Sequence, residues 1–83
     1  MDDKIREYVE RLIIKLYEER DLFFSDDELN SEGWKIFNEI VYHTLKAMPW
    51  YKRRIRDLRR KPTVESIFTF TCEAYGLPSD WSC

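Results

Sequence analysis

The sequence holds few of the residues that build loops, disulfide staples and metal sites. Its 83 residues include only two glycines, three prolines, two cysteines and one histidine. So few glycines and prolines favour long regular segments over a loop-rich fold. One histidine, with cysteines at positions 72 and 83, matches no zinc or haem spacing, and two glycines are too few for a phosphate-binding loop. We therefore expect no metal, no cofactor and no enzymatic activity.

The sequence also lacks a long apolar run and a targeting signal. No stretch approaches the roughly 18 apolar residues of a membrane-spanning helix. The first residues, Met1–Lys4, are acidic and polar, unlike the basic and then apolar start of a secretory signal. The two cysteines show no disulfide framework, and Cys83, the last residue, does not fit a prenylation box. These features predict a protein of the reducing cytoplasm that contacts no membrane.

What the sequence does contain is typical of a small globular domain. Apolar residues make up 43% of the chain and charged residues 36%, a balance that separates it from disordered tails. Its length suits a single α-helical domain over residues 1–83. The pattern predicts an all-α fold, a compact bundle of four helices at about 2–20, 31–48, 50–61 and 64–75 with a short helical turn near 25–29.

The segment 31–48 is predicted to be the central helix. At a 3.6-residue period its apolar side chains cover about half of the helix circumference. Such an arc is wider than the roughly 100° stripe that one partner helix would cover, so we expect this helix to lie between two others. The seam consists of Trp34, Phe37, Val41, Leu45 and Met48, widened by Ile36, Ile40 and Ala47.

Short signals mark where the elements begin and end. Ser25 and Glu28 fit a capping box, which predicts the helical turn near 25–29. Asn30 or Ser31 is expected to cap the start of the central helix. Pro49 ends that helix and is suited to start the next one. Pro62 separates that helix from the last, and Gly76 is a strong signal for the end of the last helix.

Residues 64–75 carry the most ambiguous pattern, since Phe-Thr-Phe-Thr-Cys also suits a strand. Glu65, Ser66, Thr69 and Glu73 fall within one arc at the helical period, whereas a two-residue period mixes them with apolar residues. A helix capped by Thr63 is therefore predicted. The side chains expected on its core face are Val64, Ile67, Phe68, Thr71, Ala74 and Tyr75.

The net charge of −2 is unevenly distributed along the chain. Residues 1–32 carry eleven acids and five bases, residues 33–61 carry nine bases and two acids, and residues 62–83 carry three acids and no Lys or Arg. The acidic and basic segments can pair with each other inside the molecule, or they can form two surfaces of opposite charge. The sequence leaves both interpretations open.

The segment 50–61 is the strongest functional candidate. Seven of the ten residues from 52 to 61 are Lys or Arg, opposed only by Asp57. With Tyr51, Ile55 and Leu58 as the anchoring face, the arginines at 53, 56 and 60 would point to solvent. The predicted partner-binding residues are Trp50, Tyr51, Lys52, Arg53, Arg56, Arg59 and Arg60.

Two kinds of partner fit this basic segment. Arg, Trp and Tyr dominate binding energy at protein interfaces, which favours a non-enzymatic module, an inhibitor or adaptor, that binds another protein with an acidic surface. The alternative is a nucleic acid, because arginines bind phosphates and Trp50 and Tyr51 could stack on unpaired bases. A pI near 5.4 argues against a dedicated nucleic-acid binder.

The acids between Glu18 and Glu32 allow a different hypothesis. They could imitate a phosphate track and occupy a DNA-binding cleft, which would suit a small inhibitor of the kind that phages and mobile elements encode, including a host-defence inhibitor. A solvated acidic loop explains the same residues more simply. No motif in the chain is specific enough to name a family.

Two remaining hypotheses rest on single residues. Catalysis by His43 with Cys72 or Cys83 would need a thiol, an imidazole and an orienting group in one cleft, and no motif supports it. A homodimer would use surplus apolar side chains on the surface. The candidates for that contact are Ile14, Tyr17 and Trp81.

Overall fold

A computed structural model of the protein describes residues 1–81 and confirms an all-α fold. The helices of this part of the chain are α1 (Asp3–Glu18), α2 (Arg20–Phe23), α3 (Ser31–Ala47), α4 (Lys52–Arg60) and α5 (Val64–Tyr75). Two short strands, β1 (Phe24–Ser25) and β2 (Glu28–Leu29), and a 3-10 turn at Pro49–Tyr51 connect them. The bounds of α5 agree with the predicted ones, and those of the other three long helices differ by one or two residues.

The ends of the helices are fixed by the side chains that the sequence pattern indicates. Asn30 accepts a hydrogen bond from the backbone N–H of Gly33 at 2.9 Å, and Thr63 accepts one from Ser66 at 3.1 Å. Each bond satisfies an N–H group that a helix start leaves unpaired. Gly76 ends α5 with a φ of +72°, a left-handed conformation that glycine adopts at little cost.

The predicted helical turn near 25–29 is wrong, because these residues form a β-hairpin. Asp26 and Asp27 have φ of +52° and +70°, and two consecutive left-handed residues are what a type I′ hairpin turn requires. The turn pairs Phe24 with Leu29 in antiparallel register, and both of these side chains are buried. A helical turn occurs instead just upstream, as α2.

Backbone hydrogen bonds join the hairpin region both to the end of α2 and to the connection between α4 and α5. The backbone N–H of Asn30 donates to the carbonyl of Phe23 at 3.0 Å, which holds the start of α3 against the end of α2. On the other side, the backbone N–H of Leu29 donates to the carbonyl of Pro62 at 3.0 Å. The connection between α4 and α5 is therefore fixed to the hairpin.

The most enclosed helix is α5 rather than α3. At 100° per residue, the buried side chains of α5 cover an arc of about 200°, whereas those of α3 keep to a stripe of about 100°. The fully buried arc is thus wider on α5 than on α3, whose predicted seam residues Trp34, Leu45 and Met48 are partly buried and pack against the same core. The buried residues of α5 are Ile67, Phe68, Phe70, Thr71, Cys72 and Tyr75, and those of α3 are Gly33, Phe37, Ile40, Val41 and Thr44.

Phe70 is the residue that widens the arc of α5. It lies off the predicted core face, yet it is fully buried. The ring of Tyr51 meets it edge-on with the centroids 5.3 Å apart, and the guanidinium of Arg54 lies 6.0 Å from its centroid. The 3-10 turn and α4 therefore cover a side of α5 that the apolar pattern of α5 alone does not predict to be buried.

A buried hydrogen bond joins α3 to α5. Oγ1 of Thr44 and Oη of Tyr75 lie 2.6 Å apart, and both residues are buried. Burial raises the pKa of Tyr75 above its ordinary value, while the hydrogen bond with Thr44 and the guanidinium of Arg6 act in the opposite direction. The phenol of Tyr75 is therefore neutral at physiological pH and serves as a fixed polar contact inside the core.

Replacing Gly33 tests the close approach between α3 and the hairpin. A Cβ at this position would overlap the carbonyl oxygen of Phe23 and lie 2.7 Å from Cδ2 of Leu29. Alanine normally stabilises a helix over glycine, but Gly33→Ala is expected to lower the free energy of unfolding by about 2 kcal/mol, because backbone must move. Urea unfolding measures the change. Asn38→Ala, at an exposed position of α3, is the control and should cost nothing; a stabilised Gly33→Ala protein would contradict the close approach.

A double-mutant cycle tests the Thr44–Tyr75 bond. Thr44→Val keeps the shape of the side chain but leaves a buried phenol without its partner, so it should lower the free energy of unfolding by about 1–2 kcal/mol. The double variant T44V/Y75F should cost less than the two single changes together, since no unpaired group remains. Denaturant unfolding of all four proteins gives the coupling, with the exposed Tyr42→Phe as the neutral control. Strictly additive losses in the free energy of unfolding would show that the hydrogen bond does not stabilise the folded protein.

Candidate functional site

Helix α4 is attached to the core by a narrow apolar edge. Ile55 and Leu58 are 2% and 4% exposed. Tyr51, half-buried in the turn that precedes the helix, packs edge-on against Phe70. These are the three anchoring residues that the helical period predicts. Because this edge is narrow, most of the circumference of α4 is left to charged side chains.

One side of α4 faces α5 and is neutralised within the molecule. Nη1 of Arg54 lies 2.7 Å from Oε2 of Glu73 on α5. Arg54 and Lys61 also line a groove of 620 Å³ between the two helices. We call this side the inner edge of α4. Three acids share the walls of its groove, Asp27, Asp57 and Glu65.

The opposite side of α4 carries cations that have no acidic partner. All five of its Lys and Arg side chains are exposed, and none forms an ion pair with any of the residues 1–81. Like charges this close repel each other, so the group carries an electrostatic cost that no ion pair within residues 1–81 relieves. We call this surface the outer face of α4; it consists of Lys52, Arg53, Arg56, Arg59 and Arg60.

Trp50 extends the outer face at its N-terminal end. It is 71% exposed, more than any other large apolar side chain in the part of the chain that the structure describes. The turn that begins at Pro49 presents it three residues before Arg53. Its ring lies 6.2 Å from that of Tyr51, which packs into the core instead. The outer face therefore combines a cluster of cations with one uncovered aromatic ring.

Of the seven residues predicted to bind a partner, Tyr51 differs from the rest. The structure places the other six on the outer face or beside it, whereas Tyr51 covers Phe70 and contributes to packing. The helical period separates Arg54 and Lys61 from the outer face, but it does not reveal what they meet. The contact of Arg54 with Glu73 and the arrival of Asp27 at the inner edge depend on the tertiary fold, so no local signal identifies them.

The residues predicted to form a homodimer contact are only partly accessible. Tyr17 packs edge-on against Phe68 with centroids 5.2 Å apart, and its ring lies 6.3 Å from that of Trp81. These two predicted contact residues therefore pack against each other inside one molecule. Ile14 is 40% exposed and is the most accessible of the three. A homodimer stays a prediction.

The structure places His43 and Cys72 in unrelated surroundings. His43 lies between the rings of Tyr8 and Tyr42, with centroids at 5.7 and 5.1 Å. Cys72 is buried on α5 and disulfide-bonded, so the expectation that the chain contains no disulfide is wrong at this residue. A disulfide sulfur is not the thiolate that a cysteine nucleophile requires. Cys83, the other candidate of that hypothesis, lies outside the described residues.

An aromatic cluster around His43 was not anticipated from the sequence. Oη of Tyr8 donates to Oε1 of Glu39 at 3.0 Å, and this hydrogen bond raises the pKa of Tyr8. Tyr8 is 42% exposed and Tyr42 is 53% exposed. Ile5 belongs to the same surface, because it lines one small pocket together with His43.

Two other kinds of site are not found in residues 1–81. No group of three or more His, Cys, Asp or Glu side chains there is arranged to hold a metal ion. Among the helices of the same segment, none has the length and apolarity to cross a bilayer.

Comparisons with known proteins were made by family model, by sequence and by structure. A scan against protein-family models, a search of curated proteins and a search of solved structures each found no match to this chain. The function of the site is therefore inferred from its own residues, their exposure and their charges.

Because the two sides of α4 differ in their contacts, we expect two arginine substitutions to lower the free energy of unfolding by different amounts. Arg54→Ala removes an ion pair and a contact with Phe70, so it should lower the free energy of unfolding by about 0.5–1 kcal/mol. Arg56→Ala, on the outer face of the same helix, should change it by less than about 0.3 kcal/mol. Thermal unfolding at low and high salt compares the two, and the gap should narrow as salt screens the pair. Equal stability at low salt would contradict the neutralised inner edge.

Proposed function

We propose that this domain is a non-enzymatic binding protein, an inhibitor or adaptor, whose outer face of α4 and Trp50 contact an acidic surface of another protein. The supporting observation is the set of five exposed cations that form no ion pair within residues 1–81, beside a Trp that is 71% exposed. An acidic partner surface would relieve the repulsion between these cations. Covering Trp50 would add apolar burial, and Arg and Trp are the side chains that most often dominate interface energies.

Core packing does not explain the composition of the outer face, because all five of its charged side chains are exposed. The buried anchors Ile55 and Leu58 hold α4 in place, and the pair between Arg54 and Glu73 lies on the other side of the helix. Like charges three or four residues apart destabilise a helix by a few tenths of a kcal/mol per pair. A charged surface that costs stability and forms no ion pair with the residues that the structure describes favours a role in binding.

A nucleic acid is the second candidate for the same surface. Arginine forms bidentate hydrogen bonds with phosphate, and the exposed ring of Trp50 is available to stack on an unpaired base. The charge of the whole chain argues against this candidate, since the net value is −2 and acids line the groove beside α4. We therefore place an acidic protein first.

Affinity capture from the native host tests the proposal and separates the two candidates. The bait is the 83-residue chain, used as wild type and as the triple variant R53E/R56E/R60E. The wild-type domain should retain a specific protein that survives nuclease treatment, and the variant should lose it because three attractions become repulsions. Mass spectrometry identifies the captured protein. A capture that disappears with nuclease would instead support the nucleic acid.

The matched control changes the same total charge elsewhere on the surface. The variant R11E/K15E/K35E alters three exposed cations of α1 and α3 and leaves α4 untouched. It should retain the partner with little loss, because distant charges affect association only through long-range attraction. Retention of every partner by R53E/R56E/R60E, or equal loss in both variants, would remove the assignment to α4.

A further inference from the structure

The arginines of the outer face are arranged in a line. Arg53, Arg56 and Arg60 follow one another at intervals of three and four residues, which on an α-helix places them on one side with axial spacings of about 4.5 and 6 Å. Trp50 lies about one turn further toward the N-terminus. We call this row the arginine stripe. It is a short, straight row of three guanidinium groups that ends in an exposed aromatic ring.

The arginine stripe is bordered by acids. It covers only about 10 Å of helix from its first arginine to its last. Asp57 lies beside it on α4, and Asp27 and Glu65 line the groove along the inner edge. A nucleic acid is a continuous polyanion with a charge about every 3.4 Å along each duplex strand, so it would continue past the stripe toward these carboxylates. A short acidic segment of a protein avoids that repulsion.

The spacing of the arginines distinguishes a helical segment from an extended one. Acids that follow one another at three and four residues on a second helix repeat at about 4.5 and 6 Å, the same intervals as the stripe. On one face of a β-strand, side chains repeat at about 7 Å and lose register with the arginines. The charge pattern of α4 is therefore complementary to that of an acidic helix.

We infer that the outer face recognises a single acidic helix of its partner, with carboxylates at intervals of three and four residues and an apolar side chain about one turn beyond them that covers Trp50. This inference rests on the proposed function and names the element that is recognised. The three carboxylates meet Arg53, Arg56 and Arg60, and Lys52 and Arg59 lie along one side of the contact. The ring of Trp50 supplies most of the apolar area.

Synthetic peptides test the inference on the intact chain. Two helix-stapled peptides of about 15 residues carry three Glu at the stated intervals, with a Leu one turn beyond the row at either the N-terminal or the C-terminal end. The control peptide has the same composition and staple, with its acids distributed around the helix. A single-stranded DNA of similar length is the fourth probe. Fluorescence anisotropy at about 50 mM salt measures each affinity.

One of the aligned peptides should bind at least about tenfold more tightly than the control peptide, since only its acids can meet all three arginines together. R53E/R56E/R60E should abolish this preference, and Trp50→Ala should weaken the aligned peptide by about fivefold while hardly changing the control. The variant R11E/K15E/K35E should bind the aligned peptide like the wild type. Circular dichroism of every variant confirms that α4 is still folded.

Three outcomes would overturn the inference. Equal binding of aligned and control peptides would show that the spacing of acids is not recognised, and tighter binding of the DNA would assign the stripe to a nucleic acid. No binding of either aligned peptide would exclude an acidic helix as the target. The capture experiment is judged separately, because an arginine-dependent protein partner can still be found when every peptide fails.

Discussion

The enclosure of α5 is the constraint on which the rest of the structure depends. Its buried side chains occupy more than half of the helix circumference, so a single neighbouring helix cannot cover them. Two long helices and the turn that precedes α4 contribute a contact each. These contacts are Tyr17 of α1 on Phe68, Thr44 of α3 on Tyr75, and Tyr51, just before α4, on Phe70. An 83-residue chain has little surplus apolar area, and placing one aromatic helix at the centre uses it efficiently.

This enclosure also determines how the charges of α4 are divided. With Ile55 and Leu58 buried and Tyr51 on Phe70, the helix cannot rotate without exposing apolar surface. Arg54 is thereby brought to Glu73, and the hairpin, fixed to the α4–α5 connection, adds Asp27 to the same side. The five cations of the outer face form no ion pair with any of the residues 1–81. The outer face is thus a consequence of core packing as well as of composition.

The sequence was sufficient to predict those features that depend on neighbours within a few residues. The four long helices follow from apolar period and from caps at Asn30 and Thr63, which act locally. The hairpin was missed because Ser25 and Glu28 resemble a capping box, while the left-handed turn between them is stabilised by burial of Phe24 and Leu29 in the core. The wide buried arc of α5 was missed for a related reason, since the burial of Phe70 depends on Tyr51 and Arg54 from elsewhere in the chain.

The same distinction applies to the candidate site: some of its features depend on neighbouring residues in the sequence and others on the tertiary fold. A helical wheel is enough to predict that Arg53, Arg56 and Arg60 point to solvent, because Ile55 and Leu58 fix the opposite face. It cannot decide whether solvent or an acid of the same molecule meets a given cation. The tertiary structure pairs Arg54 and not the other three, although all four lie on one short helix. Folding therefore neutralises one side of the basic segment and concentrates its unbalanced charge on the other, which is why the proposal places an acidic partner there.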